Sequence, residues 1–181
     1  FLLSVVLIGF KGCGKSTIGP LLAEKIGFSF HDLDHLIEQR HFEETGERQG
    51  FREVFRARGE DSFRALENHL LREQLGREDL VLALGGGTPM ATGVDSLLAP
   101  HCVVYLRVPE NEIIERVRAD GWPAYLENEA DPEEALRLLF KRRVPRYEEL
   151  AKLVVENTRA PEEVVAAVLP EIRAVLAQPE S

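Results

Sequence analysis

Apolar residues in this chain fall into two alternating patterns. Residues 2–8, 80–84 and 102–108 are nearly unbroken apolar runs, and 28–30 and 153–155 are shorter ones. Runs with no polar face belong in a parallel sheet covered on both sides. Between them, apolar residues recur every three or four positions over 18–26, 35–39, 51–58, 62–75, part of 89–100, 109–118, 133–143 with a continuation over 146–151, and 161–176. That spacing predicts amphipathic helices; 62–75, for example, sets Phe63, Leu66, Leu70 and Leu71 on one face. Gly27 and Gly59 mark helix ends, and Pro145 divides a late helix. Residues 41–50 (HFEETGERQG) are polar and mixed in charge and read as an exposed connection, while 119–131, with Gly121 and Pro123, reads as a loop. Strand and helix alternate throughout. The predicted fold is α/β, a three-layer sandwich around a central five-stranded parallel sheet, in a single domain over 1–181.

Composition narrows the function. The net charge is −9, which argues against a nucleic-acid partner, since phosphates would be repelled. An anionic substrate would need a local cluster of arginines. The two cysteines, Cys13 and Cys102, cannot build a disulfide framework and fit a reducing cytoplasm. Residues 1–8 are too short to span a bilayer and lack the basic flank and cleavage site of a signal peptide, so no membrane association is expected.

In a parallel sheet, ligands bind beyond the carboxyl ends of the strands. Three loops there carry candidate chemistry. Residues 9–17, Gly-Phe-Lys-Gly-Cys-Gly-Lys-Ser-Thr, lie between a strand and a helix and fit the phosphate-binding pattern G-x-x-x-x-G-K-[ST]. Its glycines let backbone N–H groups turn inward around phosphate oxygens, at the N-terminus of the next helix. Lys15 would reach the β- and γ-phosphates of ATP or GTP, and Ser16 would ligate Mg²⁺. Asp32 and Asp34 stand one residue apart at a strand end. One can hold a water of the metal shell and the other can take a proton from a substrate hydroxyl, or Asp34 can simply cap a helix. Gly85, Gly86 and Gly87 end a buried strand and permit close approach to backbone. Arg64 and Glu67 are neighbours on one helix face, either an exposed ion pair or part of a site, and Arg143 lies in a basic cluster before Pro145.

Together, GFKGCGKST (9–17), FHDLDHLIE (30–38), GEDSFRALE (59–67), LALGGG (82–87) and RVPRY (143–147) make the chain resemble the shikimate kinase family from residue 5 to about 168. These are small P-loop kinases folded like the nucleoside monophosphate kinases. The resemblance implies transfer of a phosphoryl group from Mg-ATP to the 3-hydroxyl of shikimate, a step of aromatic amino-acid and chorismate biosynthesis, by a cytoplasmic, monomeric enzyme. It implies nucleotide binding by Gly12, Cys13, Gly14, Lys15, Ser16 and Thr17, with Arg116 against the base, Pro161 on its other side and Arg118 nearby. Metal binding falls to Ser16 and, through water, Asp32. Lys15 and Asp34 are the catalytic pair, Asp34 as base. Substrate binding falls to Asp34, Phe55, Phe63, Arg64, Glu67, Gly85, Gly86, Gly87, Pro123 and Arg143, with the substrate region over about 33–75 and a lid over about 119–131.

Two departures from the family's pattern stand out. The lid's usual Arg is replaced by Trp122, whose indole offers one neutral donor, so Arg118 is expected to supply the missing charge, with Lys11 as second candidate. Residues 41–50 are longer than the family's connection. Two alternatives follow: a kinase of another small hydroxy acid such as gluconate, favoured if Arg64 and Arg143 do not converge, and a weakly active, regulatory nucleotide binder, favoured by Trp122.

Overall fold

The computed structural model describes residues 3–126 and 128–178; Leu2 of the predicted first strand and Glu127 of the predicted lid lie outside the described residues. In chain order the elements are β1 (Val5–Ile8), α1 (Lys15–Ile26), β2 (Ser29–Asp32), α2 (Leu33–Thr45), α3 (Phe51–Arg58), α4 (Glu60–Leu75), β3 (Leu80–Ala83), α5 (Val94–Leu98), β4 (Cys102–Arg107), α6 (Glu110–Asp120), α7 (Pro132–Leu150), β5 (Leu153–Glu156) and α8 (Pro161–Leu176). Short 3-10 turns occupy Thr88–Met90 and Ala124–Leu126.

The five strands are parallel in the order β2-β3-β1-β4-β5. β1 and β3 are buried along their whole length, as their unbroken apolar sequences require. β5, at an edge, exposes Val154. Because all strands point the same way, the loops after β1, β2 and β3 emerge together, which gathers the phosphate loop, the aspartate pair and the glycine triplet. α1 lies close on β2 because Gly19 presents no side chain: a Cβ there would stand 2.1 Å from the ring of Phe30.

Two elements run further than the apolar pattern predicts. α2 starts at Leu33 and continues to Thr45, through a segment read as an exposed connection. Its buried stripe is Leu33, Ile37 and His41, so a polar residue completes it. His41 is buried because its Nδ1 accepts a hydrogen bond from Arg58 Nε at 3.1 Å. Gly46, with φ of 75°, then ends the helix. α7 is a single helix across Pro145. An interior proline costs a helix about 3 kcal/mol, and the contacts beyond it offset that. Tyr147 Oη donates to the Gly86 carbonyl at 2.6 Å, and Arg146 donates to the Pro89 carbonyl at 3.1 Å while pairing with Asp95.

At the amino ends of β1 and β4, away from the loops just described, the buried His101 accepts the Ser4 N–H on Nδ1 at 3.2 Å, which requires a neutral ring. Burial, and then the charge of Lys152, hold its pKa below the usual 6.5. The unfolded chain therefore binds this proton more readily than the folded one. His101 contributes stability that is present above pH ~6.5 and lost as pH falls through its lower folded value. His101→Asn keeps an acceptor near the Nδ1 position and cannot titrate; thermal unfolding of this variant is expected to lose less midpoint between pH 7.5 and pH 5 than the wild type does.

Candidate active site

The phosphate loop is held in shape from outside. Gly14, with φ of 97°, caps α1, and a Cβ there would stand 2.3 Å from Asn157 Nδ2, so both the angle and the space demand glycine. That Asn157 amide donates to the Cys13 carbonyl at 2.7 Å. Arg116, on α6, donates to the Gly12 carbonyl at 3.1 Å and to the Asn157 carbonyl at 3.0 Å, and it pairs with Glu112. With these carbonyls engaged outside the loop, most of its N–H groups are left for an anion, while the Cys13 N–H donates within the loop to the Phe10 carbonyl at 3.1 Å. Lys15 Nζ bends back over the loop to the carbonyls of Gly9 at 2.9 Å and Phe10 at 3.3 Å, and touches Cys13 Sγ at 3.5 Å. Thr17 follows in the first turn of α1, and Pro161 opens α8 shortly after Asn157 in the chain.

Asp32 is the N-cap of α2, correcting the expectation that Asp34 could fill that role. Its Oδ1 accepts the Asp34 N–H at 2.9 Å, and its Oδ2 accepts from Ser16 Oγ at 3.3 Å. Ser16 and Asp32 thus offer two adjacent oxygens, and among the described residues no cluster of three or more His, Cys, Asp or Glu could hold an ion. That sparse donor set suits Mg²⁺, which keeps several waters and takes phosphate oxygens as further ligands.

Asp34 sits in the first turn of α2, with Oδ1 buried and without a hydrogen-bond partner among the described residues. A Cβ on Gly85 would lie 2.7 Å from that oxygen, so the glycine is what lets the carboxyl face the cleft. Burial, reinforced by Asp32 and opposed by Lys15, pushes the Asp34 pKa up to about 7.

Arg64 of α4 and Arg143 of α7 converge on Gly87. A Cβ there would meet Arg143 Nη2 at 3.3 Å and Arg64 Nη2 at 3.4 Å. Arg64 is aimed by Glu67, which is only 3% exposed: one carboxylate oxygen accepts from Arg64 at 2.8 Å and the other from Thr88 Oγ1 at 2.8 Å. The pair therefore joins a buried carboxylate to a guanidinium that reaches the open cleft, and is not the fully exposed ion pair its spacing allowed. Arg143 passes over the Phe10 ring, and its Nε is buried without a partner. An unpaired buried carboxylate oxygen and an unpaired buried guanidinium nitrogen in one cleft call for a ligand with both a hydroxyl and an anion.

Other expectations are corrected. Phe63 is 1% exposed, packed edge-on against Phe51 and Phe55, and belongs to the core behind the cleft. Phe55 is half-buried. Pro123 is buried, and Trp122 packs against the core. Arg118 is turned outward onto Glu133, so it is not brought to the phosphate loop. Asn157 went unread because a lone polar residue after the last strand carries no local signal. Arg52, whose Nη2 donates to the Gly121 carbonyl at 3.4 Å, was missed in the same way.

The raised Asp34 pKa has a consequence in protein free of nucleotide and metal. A carboxyl whose folded pKa lies above its unfolded value favours folding below pH ~4, and that contribution is lost as pH rises through about 7. Asp34→Asn is expected to raise the thermal midpoint by a few degrees at pH 8, with the gain disappearing toward pH 4.

Comparison with known proteins agrees with this geometry. The family model for shikimate kinase matches residues 11–173. A curated shikimate kinase from Streptomyces avermitilis is 38% identical over 166 residues, covering 91% of this chain and 92% of that protein. The solved structure of a shikimate kinase from Acinetobacter baumannii in complex with shikimate superposes with a TM-score of 0.83 at 33% identity, covering 98% of this chain and 96% of that one. A gluconokinase from Sinorhizobium meliloti, at 20% identity and a TM-score of 0.62, shares the fold alone. Matched by the family model over residues 11–173 and by curated relatives over nearly its full length, the chain belongs to the shikimate kinase family.

Proposed function

We propose that this protein transfers the terminal phosphoryl group of Mg-ATP to the 3-hydroxyl of shikimate, giving shikimate 3-phosphate and ADP. The observation that carries the reading is the meeting of Arg64 and Arg143 around Gly87, beside the free carboxyl oxygen of Asp34. Shikimate carries one carboxylate and several hydroxyls. Two guanidinium groups suit the carboxylate, because their planar donor sets match its paired oxygens. The absence of side chains at Gly85, Gly86 and Gly87 leaves the ring room against the backbone. The convergence of the two arginines disfavours a gluconate kinase by the criterion set above.

Each residue's part follows from its position. Lys15 leaves the loop carbonyls and draws the phosphates into the N–H cradle of Gly12 to Thr17. Ser16 and Asp32 hold the metal, Asp32 through water; Mg²⁺, when bound, neutralises charge on the β- and γ-phosphate oxygens. Asp34 orients the acceptor hydroxyl and accepts its proton as the new oxygen–phosphorus bond forms and the bond to the ADP oxygen breaks. A carboxyl whose pKa is about 7 is near the ideal for a base at neutral pH. Glu67 keeps Arg64 aimed. Arg116 and Pro161 border the base. Residues 119–131 act as a lid over α2–α4, the substrate side, and closing it excludes water. The reading extends to a monomer in the cytoplasm, where the two buried free cysteines would stay reduced. Among the described residues, no helix is long and apolar enough to cross a membrane.

ADP release measured by a coupled assay is expected to depend on added shikimate and not on gluconate. Shikimate-independent release, or none, would remove the assignment. Arg64→Ala is expected to weaken shikimate by about 2–5 kcal/mol while leaving ATP nearly untouched. Equal loss of both ligands would mean that the arginines do not clamp the acceptor. Asp34→Asn is expected to lower kcat on the order of 10²–10⁴-fold with ATP binding retained.

A further inference from the structure

A moving phosphoryl group carries negative charge, and a preorganised cation aimed at it stabilises the transition state more than the bound reactants. Most basic side chains near the cleft are already engaged. Arg116 holds the Gly12 and Asn157 carbonyls, Arg64 is on Glu67, and Arg118 is on Glu133. Trp122, in the segment after α6, brings no charge.

Lys11 differs from all of these. It lies in the phosphate loop itself, half-buried, and no hydrogen bond or ion pair joins its ammonium to another described residue. Its backbone N would stand 3.5 Å from a Cβ on Gly86, so the phosphate loop and the glycine triplet meet at this residue. The charges around its ammonium come from four elements: Arg52 of α3, Asp120 at the end of α6, Asp34 of α2 and Lys15 of α1. An ammonium within electrostatic reach of both Asp34 and Lys15, on a residue whose backbone meets the glycine triplet, has access to the space between the acceptor's base and the phosphate loop. Burial, and then the charge of Arg52, lower its pKa, as befits an ammonium partly stripped of water with no anion in contact. Arg52 reaches from α3 to the Gly121 carbonyl, and so brings a second positive charge to the same mouth.

We propose that Lys11 is a further catalytic residue of the phosphoryl transfer, its ammonium contacting the terminal phosphate oxygens as the group passes to the acceptor at Asp34. The proposal rests on the kinase reading above. Lys11 stays protonated throughout and exchanges no proton; the bonds made and broken are those already given. The charge that the lid does not deliver comes from the loop below.

The test compares wild type with Lys11→Met and Lys11→Arg. Calorimetry measures binding of ADP with Mg²⁺, and of ADP with Mg²⁺ and fluoroaluminate, a mimic of the group in transit. Lys11→Met is expected to keep the thermal midpoint and the ADP affinity, and to lose roughly 10²-fold in affinity for the fluoroaluminate complex, with a similar loss in kcat. Lys11→Arg, which keeps the charge, is expected to recover most of both. If Lys11→Met matches wild type in both measurements, or weakens ADP and the fluoroaluminate complex equally, the proposal is overturned. The nucleotide comparison needs no acceptor, so it tests Lys11 separately from the choice of shikimate, which the ADP-release assay reports.

Discussion

A backbone loop binds an anion only when its N–H groups face the ligand and its carbonyls are satisfied elsewhere. Here that condition is met by two side chains from outside the loop, Asn157 on the Cys13 carbonyl and Arg116 on the Gly12 carbonyl. The second clamp also grips the first, since Arg116 donates to the Asn157 carbonyl as well. Everything else in the site is positioned relative to this fixed loop. Lys15 folds over it, Ser16 leads from it to Asp32, and Asp32 in turn caps the helix that carries Asp34.

The protein as a whole is acidic, with a net charge of −9, yet its cleft collects Lys11, Lys15, Arg52, Arg64 and Arg143. Local geometry sets the field there, because charges farther than a Debye length of about 8–10 Å are screened. In the cleft, Asp34 Oδ1 and Arg143 Nε are buried with no partner among the described residues. Unsatisfied buried polar atoms are costly, on the order of 1–3 kcal/mol each. A ligand that satisfies both recovers that cost, which favours an acceptor with a hydroxyl and a carboxylate over one lacking either.

Much of this was legible from residue order, and what was legible was local. The phosphate loop is nine consecutive residues, and Asp32, Asp34, Arg64, Glu67 and the glycine triplet each sit in a short recognisable window. The five-stranded parallel sheet followed from unbroken apolar runs. What was missed depends on distant partners. Asn157 meets Cys13 across 144 residues. His41 completes a buried stripe with its Nδ1 held by Arg58, on another helix. Pro145 stops a helix by propensity, and only the anchors at Tyr147 and Arg146 carry the helix past it. Arg118 is close in sequence to Trp122, but closeness in sequence does not say which way a side chain points; Glu133 decides that.

The clamp on the phosphate loop also sets an order in time. Synthesis runs from the N-terminus, so residues 9–17 emerge early, while Asn157 arrives after the last strand. A nascent chain ending within α7 holds the whole nucleotide motif, both aspartates and the glycine triplet, but the Cys13 carbonyl has no amide to receive. The phosphate loop is thus fully clamped only once β5 has docked beside β4. In this fold a motif written before the second strand is finished only after the fifth.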